Sequence, residues 1–124
     1  MIARCLVVGV GGFLGAIARY AVGVWFETFW RRDFPLATFV VNVTGCFILG
    51  LFLTMATERM NVNPTMRLLV ATGFVGAYTT FSTFEYETQR LTTTGAFGWA
   101  LVNVLTSVVA GFIAVRLGVE LARR

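Results

Sequence analysis

Phe81 and Phe84 stand three residues apart in GFVGAYTTFSTF (Gly73–Phe84), with Ser82 and Thr83 between them and Gly73, Gly76 and Ala77 shortly before. At helical spacing the two rings share a face. A phenyl edge carries the positive part of the ring quadrupole. Ring edges beside hydroxyl donors therefore have the chemistry to replace the water around a small anion while holding it loosely enough to leave. The plainer reading of the pair is packing against lipid or core. The small residues upstream allow a backbone to bend or to approach another backbone, and unwound peptide at membrane depth survives only where protein or a cavity satisfies it. Such a break aims carbonyls at a cation and a half-helix N-terminus at an anion.

Other polar groups in apolar surroundings are few, and each must face the bundle or a water-filled path. Asn42, in FVVNVTGCFILG, either makes a helix-to-helix hydrogen bond or turns an amide donor toward a pathway. Thr106 and Ser107 divide the same way. Arg19 cannot lose its proton; it either snorkels from a helix end or lends positive potential to a vestibule. Cys5 and Cys46 lie in apolar runs and read as small buried hydrophobes, with no CxxC spacing for a metal. All ten cations are arginine and there is no histidine, which removes His acid–base and Lys Schiff-base chemistry. No nucleophile–base pair, metal cluster or phosphate loop can be assembled, so an enzyme is not expected. The arginine excess belongs to membrane flanks rather than to nucleic-acid binding.

The elements that must position these residues follow from composition. Of 124 residues, 57% are hydrophobic and 13% charged, and the mean hydropathy is +0.79: the chain reads as a single all-α membrane domain over residues 1–124. A spanning helix takes about 20 apolar residues. Four stretches qualify, roughly 2–25, 34–57, 66–91 and 96–118. The third carries Glu85, Glu87 and Arg90 in its second half and is expected to be broken near 76–80. No cleavage site follows the first apolar run, which is expected to stay in the mature protein. WFETFWRRDFP (Trp25–Pro35) has headgroup-layer composition, and Pro35 and Pro64 mark helix starts. One side of the membrane holds Arg4, Arg59, Arg67, Arg116, Arg123 and Arg124, the other Arg19, Arg31, Arg32 and Arg90. So slight a bias permits both insertions, and hence an antiparallel dual-topology homodimer. A dimer is also economical for so thin a bundle, helped by the small-residue face GVGGFLGA (Gly9–Ala16).

GGFLGAIARY (Gly11–Tyr20), FVVNVTGCFILG (Phe39–Gly50), GFVGAYTTFSTF with Glu87 beyond it, and TSVVAG in the fourth span together resemble the bacterial fluoride channel family, also called CrcB or Fluc. The resemblance runs in order over nearly the whole chain. It implies four-helix antiparallel homodimers of the bacterial cytoplasmic membrane that export fluoride passively through two pores. It further implies that Phe81 and Phe84 line the anion path with Asn42, that Ser107, Ser82 and Thr83 are donors along it, and that Arg19 and Glu87 face the vestibule. Backbone carbonyls of Gly76 and Thr79, from both subunits, would hold one structural sodium ion at the dimer centre. Ala77 departs from a glycine common at that position.

Two rival readings stand beside it. A small proton-coupled multidrug-type exporter matches the size and charge balance, but its coupling needs a carboxylate in the first span, and Ile2–Trp25 has none. An accessory membrane subunit without transport would make Asn42, Phe81 and Phe84 mere packing.

Overall fold

The computed structural model describes all 124 residues, and every regular element is helical. Helix α1 covers Ile2–Glu27 and α2 covers Leu36–Glu58. A third run follows in pieces: α3 (Pro64–Arg67), a π-helical stretch (Leu68–Val75), α4 (Gly76–Tyr78) and α5 (Phe81–Thr93). Helix α6 covers Phe97–Arg123. Three of these, α1, α2 and α6, are long and apolar enough to cross a membrane, so the chain is a multi-pass membrane protein.

Local chemistry sets the ends. Asn63 caps α3 by accepting the Thr65 N–H at 2.8 Å, with Pro64 in the first helical position, where its missing N–H costs nothing. Gly95, at φ +82°, supplies the left-handed residue that turns α5 into α6. Between α1 and α2 the Trp30 indole N–H donates to the Phe34 carbonyl at 2.7 Å, and Arg32 lies 5.7 Å from the Trp30 ring centroid.

The third run is interrupted at Thr79 and Thr80. Both are extended, at φ −79°, ψ 156° and φ −150°, ψ 112°. The residues that leave the helix are thus the β-branched ones, whose stiff side chains suit extended backbone. The glycines do something else. Gly76 remains helical (φ −60°, ψ −33°), and Gly73 is a contact point: a Cβ there would lie 2.8 Å from the Val8 carbonyl oxygen and 3.0 Å from Gly11 Cα. Gly11 and Gly15 return the favour from α1, where a methyl would collide with the Leu69 and Phe74 carbonyls. The small residues of both segments therefore bring α1 and the third run together side by side.

Helices α2 and α6 pack in the same manner, with a Cβ at Gly50 falling 2.5 Å from the Val115 carbonyl oxygen. They run parallel, since Glu58 and Arg123, at their C-terminal ends, pair at 2.8 Å. The π-helical stretch has no sequence herald; it lies where α1 approaches closest. Gly73→Val is expected to lower the melting temperature of the detergent-purified protein by the equivalent of about 1–3 kcal/mol, the usual cost of overpacking. Gly9→Val, where nothing lies within 4 Å, should leave it unchanged.

Candidate functional site

Asn42 closes the break. Its Oδ1 accepts the Thr80 N–H at 2.8 Å and its Nδ2 donates to the Thr80 carbonyl at 3.0 Å. Only a primary amide offers a donor and an acceptor in that spacing, so the side chain acts as a one-residue partner strand for extended Thr80. Gly45, nearly one turn further along α2, admits the break: a Cβ there would collide with Thr79 Cγ2 and lie 3.4 Å from Tyr78 Cδ1. Just before the interruption, the Tyr78 hydroxyl and Thr44 Oγ1 lie 2.9 Å apart.

Four carbonyls, those of Gly76, Ala77, Tyr78 and Thr79, lose their helical donors as a result. In an unbroken helix Gly76 would receive the Thr80 N–H and Thr79 the Thr83 N–H. The first now goes to Asn42 and the second to Thr80 Oγ1 at 3.3 Å. The carbonyls of Gly76 and Thr79 are thus among the four left without a helical donor.

Two cavities flank the break. The larger, about 560 Å³, opens at the end of α1 and the start of α2 and is bordered by Arg19, Arg32, Arg90, Thr38, Thr83 and Glu87. The smaller, about 280 Å³, is lined by Asn42, Cys46, Phe81, Phe84 and Ser107. Thr80 borders both. Phe84 is 7% exposed and Phe81 74%, with ring centroids 5.8 Å apart at 42°. One ring is a wall of the fold, and the other stands out from it.

The residues expected from sequence therefore fall into groups. Asn42, Phe81, Phe84 and Ser107 meet in the smaller cavity, whereas Arg19, Glu87 and Thr83 meet in the larger. Ser82 is exposed and borders neither. Ser107 Oγ donates a long bond, 3.4 Å, to Asn103 Oδ1, and Asn103 Nδ2 donates to Thr88 Oγ1 at 2.9 Å. Asn103 is 1% exposed, so this short chain ties α6 to α5 behind the aromatic pair. Glu87 Oε1 accepts from Thr38 Oγ1 at 2.9 Å, while its Oε2 is buried without a partner.

The sequence assigned no site role to Cys46, Thr80 and Thr38, which line the cavities. Cys46 follows Asn42 by four positions, which places it on the same helix face; that spacing was the available signal. Thr80 lay inside the quoted motif but looks identical to its neighbours in type. Thr38 carries no mark at all, because its role depends on a carboxylate from another helix.

The sequence matches, over residues 6–119, the family described as CrcB-like protein, Camphor Resistance (CrcB). It is 50% identical to a protein named fluoride-specific ion channel FluC from Acidobacterium capsulatum, over 98% of this chain and 97% of that one. It is 46% identical to the protein of the same name from Solibacter usitatus, over 98% and 99%, and 40% identical to that from a Synechococcus, over 94% and 89%. At that identity over almost the full length of both chains, the protein belongs to the CrcB family.

Proposed function

We propose that this protein is a passive, fluoride-selective channel that exports cytoplasmic fluoride across the bacterial inner membrane. The observation that carries the reading is the smaller cavity. It gathers the Phe81 and Phe84 rings, the Asn42 amide and the Ser107 hydroxyl on a chain half identical to a protein named for fluoride conduction. Fluoride is small and strongly hydrated, so burying it without donors is prohibitive. Ring edges and neutral donors offer many weak substitutes for water, which is what entry and release both require. Arg19 at the larger cavity supplies positive potential where the ion is collected.

Several features favour an antiparallel dimer. The third run completes a fourth crossing, interrupted midway, and the chain alone leaves Phe81 74% exposed, so that the aromatic cavity lacks a far wall that a second copy would provide. Arginines stand at both ends: Arg19, Arg32 and Arg90 border one cavity, while Arg59 and Arg123 meet at the opposite end, where Arg59 donates to the Arg123 carbonyl at 2.8 Å. Neither end dominates, as dual insertion requires.

The residues present fit the sodium ion that such a dimer would hold. The Gly76 and Thr79 carbonyls, stripped of their helical donors, would contribute from each copy; the ion's part is to join the two breaks by charge. The test is efflux from proteoliposomes holding only this polypeptide. Fast fluoride release indifferent to a pH gradient, with chloride retained, is expected. Release that strictly requires a proton gradient or an organic cation overturns the reading in favour of a proton-coupled exporter.

A further inference from the structure

Thr80 is the one residue of the break that borders both cavities, with its peptide pinned by both ends of the Asn42 amide. Its hydroxyl oxygen accepts the Thr83 N–H at 3.3 Å and donates its proton to Thr83 Oγ1 at 2.9 Å. Two functions are therefore separable in one group. The oxygen caps α5 and is fixed by the backbone, whereas the proton can swing about the Cβ–Oγ bond with no heavy atom moving. Thr83 Oγ1 receives that proton and gives its own to no acceptor in the chain, so its hydrogen is free to face the arginine-bordered cavity.

We propose that Thr80 hands the anion from the larger cavity to the aromatic one by rotating its hydroxyl proton from Thr83 toward the passing ion. In the resting state the proton points at Thr83, and Thr83 presents the donor to the larger cavity. As an anion reaches the partition, Thr80's proton turns to it, and Thr83 remains held through the unbroken Thr83 N–H to Thr80 Oγ1 bond. No proton is transferred and no covalent bond changes. Because Asn42 holds the Thr80 peptide on both its polar groups, the hydroxyl keeps its place at the partition throughout.

This inference rests on the fluoride-channel reading, and three variants separate it from a role in capping alone. Thr80→Ser keeps the rotor and the cap; Thr80→Val keeps the shape and loses both. Thr80→Asp keeps a strong helix cap but has no proton to give and sets a negative charge at the partition. With each variant checked for native oligomeric state and melting temperature, fluoride efflux is measured from proteoliposomes at several fluoride concentrations. Serine is expected within about threefold of the native rate. Valine and aspartate should be slower by roughly tenfold to hundredfold, the worth of one hydrogen bond to a charged group. If valine destabilises the protein, aspartate decides: a stable Thr80→Asp protein that conducts at the native rate overturns the proposal, as does a native rate for valine or a slow serine. Absence of fluoride efflux from the native protein would instead defeat the channel reading itself.

Discussion

Asn42→Leu is expected to abolish fluoride flux and to destabilise the protein, both through one contact. Leucine leaves the Thr80 N–H and carbonyl without the partners that now sit at 2.8 and 3.0 Å, at a cost of about 1–3 kcal/mol for each unsatisfied group. The cheapest relief is for Thr80 to re-enter the helix and take the Gly76 carbonyl as acceptor. That movement would carry Phe81 around the helix axis and remove the carbonyl from any cation. Asn42→Asp tests the geometry more finely. A carboxylate still accepts the Thr80 N–H but cannot donate to its carbonyl, and it adds a negative charge to the cavity proposed as the anion path. Flux should fall by roughly a hundredfold or more, while the melting temperature falls less than for leucine. Efflux assays and thermal melts of the purified variants check both. If Asn42→Leu melted and conducted like the native protein, the amide would be no splint and the account of the break would fail.

The same contact explains how much of the molecule was legible in advance. Composition alone announces a membrane bundle, because apolar runs of spanning length cannot be read as anything cheaper. The interruption near residues 76–80 was signalled by hydroxyls and charges in a run otherwise apolar. Its cause was not. The small residues there allowed either a bend or a close approach; Gly73 and Gly11 turn out to be close-approach points between two helices, and the extended residues are threonines. A short motif cannot distinguish the two uses of glycine, since helix contact is a property of a pair of segments. For the same reason Asn42 left two readings open. The structure shows the helix-to-helix bond, and a carboxamide has a second N–H that the Thr80 carbonyl does not use; one reading does not exclude the other. Thr80 and Thr38 were invisible as individuals because their partners, Asn42 and Glu87, lie 38 and 49 residues away.

Phe81→Ile and Phe84→Ile should separate conduction from folding. Isoleucine keeps an apolar wall and removes the electropositive ring edge, so whatever flux depends on that edge is lost while the cavity stays dry. At Phe81, 74% exposed in the single chain, little packing within the subunit is at stake. The melting temperature should hold, and fluoride efflux should drop by roughly tenfold, since ring-edge interactions are worth about 0.5–1.5 kcal/mol beyond area. Phe84 is 7% exposed and packs within the fold, so its replacement is expected to cost both flux and about 1–3 kcal/mol of stability from lost volume and misfit shape. The asymmetry is the discriminating result. An accessory subunit without transport predicts the same effects on folding but no effect of Phe81 on anything. Native flux from a stable Phe81→Ile protein would mean that the exposed ring faces lipid, and the aromatic cavity would then lose its claim to the anion path.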